Sequence, residues 1–251
     1  MIDFHSHILP NIDDGSASVE ESLEMLRKCK KAGVTVVALT PHCYYTQDKD
    51  IREFIRKRNE QYRILKETVK SSGENLPELR LGCELHLSKF HADSAFFAEL
   101  ALEGTNYIML EMPVGTWEPE LYDVIYSITR KGLRPIIAHI DRYLYTHKKD
   151  FHNLFSYDLV YQVNCDSFLF RGIRKHIPYF FESGAIHILG SDMHNIAERT
   201  TRMAECKKRI IDKYGMEHYR FLEKNAESII NNGESIIRHF PKMGFFKRIT
   251  L

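Results

Sequence analysis

Short apolar runs alternate with longer amphipathic stretches along most of the chain. The runs occupy residues 2–5 (IDFH), 34–40 (VTVVALT), 79–85 (LRLGCEL), 107–112 (YIMLEM), 134–139 (RPIIAH), 159–164 (LVYQVN) and 186–191 (IHILGS). Each is of strand length and rich in β-branched or aliphatic residues, which predicts seven strands. Between the first two lies SVEESLEMLRKCKKAG, with Ser18 and Glu21 in capping-box spacing, apolar positions 19, 23, 26 and 29, and Gly33 as the stop signal. Comparable helical patterns cover about 50–71, 118–131, 171–183 and 196–213. Regular β-α alternation predicts a parallel sheet, and seven such units in one domain predict a closed or nearly closed barrel.

Composition narrows the picture. The chain has 251 residues, 43% of them hydrophobic, enough for a substantial core without a repeat, a low-complexity segment or a Gly/Pro/Ser linker. A net charge of +1, from 35 basic and 34 acidic side chains, supplies no global field for nucleic acid or an anionic membrane. Recognition of an anionic substrate is therefore local. The chain shows neither a signal-peptide pattern nor an apolar stretch near the ~20 residues a spanning helix needs, so a cytoplasmic location is expected. Five scattered cysteines, none in a CxxC, fit free thiols in a reducing compartment.

In parallel βα architectures the functional site forms at the carboxyl ends of the strands. Six of the seven ends carry metal-capable groups: His5 and His7 with Asp13 and Asp14 beyond, His42, Glu84, Glu111, His139, and then Asp192 with His194. In a strand, residues two apart share a face, so His5 and His7 aim at one point. Mixed imidazole and carboxylate donors suit Mn, Fe, Zn or Co better than Ca or Mg. About nine donors exceed one ion's capacity, which points to two or three ions bridged by carboxylates and solvent, and to hydrolytic chemistry.

The ordered set MIDFHSHILPNIDDGS, TPHC, YIMLEMP, PIIAHIDRY and SDMHN resembles the PHP (polymerase and histidinol phosphatase) metal-dependent hydrolases, and within them the bacterial protein-tyrosine phosphatases of the CpsB/YwqE type. The resemblance runs over essentially the whole chain. It implies one PHP domain over 1–251, a distorted (β/α)7 TIM-like barrel, with a short basic and aromatic tail at about 239–251. It also implies three divalent ions, manganese first, with Fe, Zn, Co or Mg as alternatives. One ion would be held by His5, His7, Glu84 and Asp192, a second by Glu111 and His139 with Glu84 bridging, and a third by Asp14, His42 and His194. The family's two functional arginines map to Arg142 and Arg199. Two departures are visible: Asp141 stands where the family commonly has Glu, and the residues after His42 diverge.

The implied activity is direct hydrolysis of phosphotyrosine in a protein, with Arg142 and Arg199 donating to nonbridging phosphate oxygens and no covalent phosphoenzyme. The implied partner is a bacterial tyrosine kinase controlling capsule or exopolysaccharide export, dephosphorylated on its tyrosine-rich tail and able to recruit the enzyme to the inner face of the membrane. The alternatives are a small phosphomonoester such as histidinol phosphate, or a nonenzymatic kinase-binding regulator; the full donor set disfavours the latter. Cys165 and Arg171 form a C-x5-R string, but CDSFLFR lacks the glycine that wraps backbone N–H groups round a phosphate. His86 reads as a pocket-lining or surface residue, and Trp117 as packing in preference to stacking on substrate. His147, His152, His176, His187, His218 and His239 have no motif context. Phe240, Phe245 and Phe246 with Lys242, Lys247 and Arg248 give the tail its character, read as a docked or frayed terminus.

Overall fold

The computed structural model describes residues 1–92, 94–143, 146–147, 150–170 and 177–233, with backbone alone for His152. Arg171, the His152 side chain, His176, His239 and the tail 239–251 lie outside the described residues. All strand pairs are parallel. Strands β1 (Ile2–Asp3), β2 (Val36–Leu39) and β4 (Glu78–Leu81) form one sheet in the order β1-β2-β4. Strands β3 (His42–Cys43), β5 (Glu84–His86), β6 (Tyr107–Glu111), β7 (Arg134–Ile137), β8 (Val160–Asn164) and β9 (Ile188–Gly190) follow in the second, in the order β3-β5-β6-β7-β8-β9. The sheet curls back on itself: Phe4 N–H donates to Leu189 O at 3.2 Å and Asp192 N–H to His5 O at 2.8 Å.

The predicted runs 34–40 and 79–85 are each broken in two. Thr40-Pro41 separates β2 from β3, and proline has no N–H to give a ladder. Gly82-Cys83 likewise separates β4 from β5. The other runs shorten by one to three residues; four of them end one or two residues before the predicted carboxyl end, and only β8 ends where expected, at Asn164.

Alternation along the strands divides the core into two clusters. Phe4, Ala38, Tyr107, Met109, Ile136, Val160 and Ile188 pack together on one side, while their neighbours Val37, Leu39, Ile108, Leu110, Ile137, Tyr161 and Leu189 pack on the other with the helices. Helix α1 (Val19–Lys31) turns Ser22, Met25, Leu26 and Cys29 inward, a stripe shifted from the predicted 19-23-26-29. Ser18 accepts from Glu21 N–H as a capping box requires, but Glu21 reaches Ala17 N–H instead of Ser18 N–H. Gly33, at φ +81°, stands just past the helix end in the left-handed region that a stop signal exploits. Helix α2 (Asp48–Ser72) and the helix Pro119–Arg130 match their predicted stretches.

One helical expectation changes, one falls only partly within the described residues, and one helix is new. Of the predicted helix 171–183, the described part is Ile177–Glu182. The helix expected at 196–213 begins only at Met203 and runs to Tyr214. Asn195 explains the delay: its Oδ1 accepts from the N–H groups of Ala197, Glu198 and Arg199 at 2.9–3.2 Å, holding a turn that competes with the helix. A further helix, Met216–Ile230, had no counterpart in the sequence reading; its Ala226, Ile229 and Ile230 join the cluster containing Phe4 and Ile188.

Candidate metal centre and active site

The nine candidate ligands converge at one end of the strands. His5 and His7 leave β1 on the same side, with their Nε2 atoms 3.1 Å apart. Glu84 Oε2 lies 3.1 Å from His5 Nε2, 3.5 Å from His7 Nε2 and 2.9 Å from His42 Nδ1. Its Oε1 lies 2.5 Å from His139 Nε2. One buried carboxylate thus faces four imidazoles. Asp192 Oδ1 sits 3.7 Å from His5 and 3.5 Å from His7, and Glu111 Oε1 sits 3.6 Å from His139. Asp14 Oδ1 lies 3.6 Å from His42 Nε2 and 3.4 Å from His194 Nε2.

Local backbone geometry serves this convergence. His139 and Asp192 have φ of +30° and +54°, conformations that non-glycine residues adopt only where surroundings enforce them. A Cβ on Gly15 would come within 2.1 Å of His7 O, and one on Gly190 within 2.5 Å of His5 Cβ. Only glycine lets the backbone approach both histidines so closely.

Around the ligands a supporting layer fixes ring orientation, as metal-binding histidines require. Asp13 Oδ2 lies 2.6 Å from His7 Nδ1 and accepts from His42 N–H at 2.8 Å, leaving His7 Nε2 aimed into the cluster. Gln162 Oε1 lies 3.2 Å from His5 Nδ1 and accepts from His139 N–H at 2.6 Å. Gln162 donates in turn to Asn164 Oδ1, and Asn164 donates to Asp192 Oδ2 at 2.9 Å. Gln162 and Asn164 escaped the sequence reading. Their signal was two polar residues at period two inside the otherwise apolar run LVYQVN.

Electrostatics show why the cluster holds together. Burial opposes charge on His5, but the Glu84 and Asp192 carboxylates prevail and raise its imidazole above the ordinary value. Burial likewise opposes ionisation of Glu84, yet His5 and His139 hold that carboxyl well below its usual range. Burial and neighbouring His7 push His194 down to about 4, which keeps it a neutral donor.

Whether cations fit can be tested on the structure. Among the described residues, His194 Nε2 and His139 Nδ1 are buried with no hydrogen-bond partner. Facing nitrogens of His5 and His7 lie at hydrogen-bond distance beside a Glu84 oxygen, which brings three donor atoms to one point. Three groups bring their donor atoms close enough to share an ion: His7, Asp14, His42 and His194; His5, His7 and Glu84; and His42, Glu84 and Glu111. The residues fit divalent metal ions.

Both candidate arginines reach the mouth. Arg142, on the turn Ile140–Arg142, donates to Asp192 Oδ2, and Arg199 Nη2 donates to Asp192 Oδ1 at 3.1 Å. Arg199 is carried there by the Asn195-braced loop, with His194 N–H donating to Arg199 O at 2.9 Å. Asp141 accepts from Asn164 N–H at 3.1 Å, tying the Arg142 turn to β8. A cavity of about 260 Å³ opens over His42, Glu111, Asp192 and the two arginines.

Of the remaining histidines, His86 Nδ1 lies 3.0 Å from Glu111 Oε2, at the edge of the cluster. His147 stacks on Trp117 with ring centres 4.3 Å apart, and Trp117 is buried with its indole N–H on Pro113 O, a packing role. His187 is buried, its Nδ1 accepting from Tyr161 N–H, and His218 lies beside Phe181. Cys165 is buried, and its Cys206 neighbour and burial raise its thiol well above the usual value, the reverse of a nucleophile's need. All five cysteines are free and buried. No described helix is long and apolar enough to cross a membrane.

Fold and site together define an α/β protein whose parallel strands deliver imidazoles and carboxylates to one point, in an arrangement able to share cations. The chain belongs to the family described as "Capsular polysaccharide synthesis, CpsB/CapC", whose model matches residues 1–231. It is 27% identical over 245 residues to the tyrosine-protein phosphatase CpsB of Streptococcus agalactiae, covering 92% of this chain and 99% of that protein. It is 28% identical over 253 residues to the tyrosine-protein phosphatase YwqE of Bacillus subtilis, covering 96% of each. A solved structure from work on YwqE of Bacillus subtilis and CpsB of Streptococcus pneumoniae, described as unique metal-dependent tyrosine phosphatases, superposes with a TM-score of 0.77. That match has 25% identity and spans 96% of this chain and 98% of the other.

Proposed function

We propose that this chain is a metal-dependent phosphatase that hydrolyses phosphotyrosine in proteins. The observation that carries the reading is two guanidinium groups converging on Asp192 at the rim of a buried cluster of imidazoles and carboxylates. His5, His7, Glu84 and Asp192 form one ligand set, Glu111 and His139 with shared Glu84 a second, and Asp14, His42 and His194 a third. Three divalent ions, manganese first, suit these mixed donors. When bound, such ions neutralise phosphoryl charge and acidify water.

The chain's own groups do the rest. Arg142 and Arg199 are planar donors matched to two phosphate oxygens, and the cavity they line gives the ester substituent room. Asp13, Gln162 and Asn164 keep each ligand aimed, so little reorganisation accompanies the reaction. Tyrosine's phenolate leaves readily because its conjugate acid has a pKa of about 10.

The finer architecture is one domain, a distorted barrel of seven βα units in which β2 with β3 and β4 with β5 each count as one broken strand. The physiological substrate is the tyrosine-rich tail of a bacterial tyrosine kinase in capsule or exopolysaccharide production, met at the cytoplasmic face of the membrane. The names of the relatives and of the family support that role. The test compares kcat/KM on a phosphotyrosine peptide and on histidinol phosphate, with manganese and after chelation. The peptide is expected to win by a wide margin and only with metal; absent turnover of any aryl phosphate by verified metal-loaded protein would overturn the reading.

A further inference from the structure

Tyr44 follows β3 directly and is 56% exposed. Its ring stacks on His42 with centres 4.8 Å apart and planes at 28°, and lies 5.5 Å from the His86 ring. It lines the same cavity as Glu111, Arg142, Asp192 and Arg199, where every other lining group is polar or charged. An exposed phenol ring of this size leaves much apolar surface in water, and nothing among the described residues covers its outer face.

We propose that Tyr44 is the residue that selects aryl over alkyl phosphomonoesters, by packing against the ring of the leaving group. The inference rests on the phosphatase reading. A phosphate gripped by Arg142 and Arg199 directs its ester substituent outward through the cavity, and Tyr44 supplies the carbon surface on that wall. Aromatic pairs gain from offset stacking or edge contact, whereas an alkyl chain gains only the smaller area. The contact exists before and during bond cleavage alike, so it acts on substrate binding more than on the chemical step.

The test uses metal-loaded, full-length protein with Tyr44→Leu and Tyr44→Phe. Phenylphosphonate and methylphosphonate serve as competitive inhibitors against a phosphotyrosine peptide, because they share the phosphonate head and differ in the ring. Tyr44→Leu is expected to reduce the preference for phenylphosphonate by about three- to tenfold, with the loss for the peptide falling on KM and not on kcat. Tyr44→Phe should keep the preference. An unchanged inhibitor ratio in Tyr44→Leu would overturn the assignment. So would equal weakening of both inhibitors with reduced metal content, which would mean that Tyr44 acts only by bracing His42. If the wild-type protein turned over no aryl phosphate, the phosphatase reading itself would fall, a result distinct from either of these.

Discussion

On β6, Tyr107, Met109 and Glu111 share one side of the strand but live in different surroundings. Tyr107 and Met109 belong to the apolar cluster with Phe4, Ile136, Val160 and Ile188, whereas Glu111 faces the imidazoles. On β8 the same step separates Val160 from Gln162 and Asn164. The apolar end needs nothing beyond itself, since burial removes its surface from water and close packing supplies the rest. The polar end buries His5, His7, Glu84 and Asp192 and keeps them through pairing with one another and with Asp13, Gln162, Asn164 and the two arginines, while His194 Nε2 and His139 Nδ1 find no hydrogen-bond partner among the described residues. Buried charge of this kind gives little net stability. One end of the strands therefore holds the fold, and the other spends stability on chemistry.

The sharpest way to break that contrast is to remove what the polar end is built to hold. Chelation should abolish phosphatase activity while circular dichroism keeps its folded signature, with manganese restoring turnover better than magnesium. Asp192→Ala should lower kcat by on the order of a hundredfold or more, because it deletes a proposed ligand and the shared acceptor of Arg142 and Arg199. Unfolding on chelation would show that the polar end is a stability element after all.

The converse perturbation sits at the apolar end. Ile136 is buried on β7 among Phe4, Met109 and Val160. Ile136→Ala should cost about 2–5 kcal/mol of unfolding free energy, read from a denaturant melt. Turnover at a temperature well below the transition should stay at the wild-type value. A matching loss of kcat in folded protein would show that the two ends are mechanically coupled.

Arg199 tests a boundary that the chain's pattern concealed. The motif SDMHN pointed to the mouth, and the strand-end argument brought the nine candidate ligands together because period-two geometry and parallel topology leave few alternatives. A helix from 196 was wrong, since one side-chain oxygen, Asn195 Oδ1, takes three backbone N–H groups and delays the helix to Met203. Such a contact depends on a local turn that no hydrophobic period records. Gln162 and Asn164 were missed for a related reason: amides inside a strand matter only through what lies opposite, here His5 and Asp192. The helix Met216–Ile230 was missed because no later strand marked it as a crossover. Arg199→Lys keeps the charge but not the planar fork, so kcat/KM should fall by about tenfold to a hundredfold, the equivalent of roughly 1.5–3 kcal/mol. Steady-state kinetics with metal analysis checks this, and wild-type kinetics for Arg199→Ala would reduce the residue to a surface charge.

The smallest effect expected belongs to Cys165, one residue beyond Asn164 and on the opposite side of the chain. Asn164 turns toward Asp192, whereas Cys165 enters the outer apolar cluster with Met203 and Cys206, its Sγ 3.1 Å from Met203 Sδ. A thiol that serves as a phosphatase nucleophile must be ionised and open to solvent, and this one is buried with its ionisation opposed by Cys206 and by burial. Cys165→Ala removes the sulfur without burying a hydroxyl, so it should cost on the order of 1 kcal/mol of packing. Turnover of a phosphotyrosine peptide should stay within about twofold of wild type. A folded, metal-loaded Cys165→Ala protein without activity would return the chemistry to the sulfur and away from the cluster of imidazoles and carboxylates.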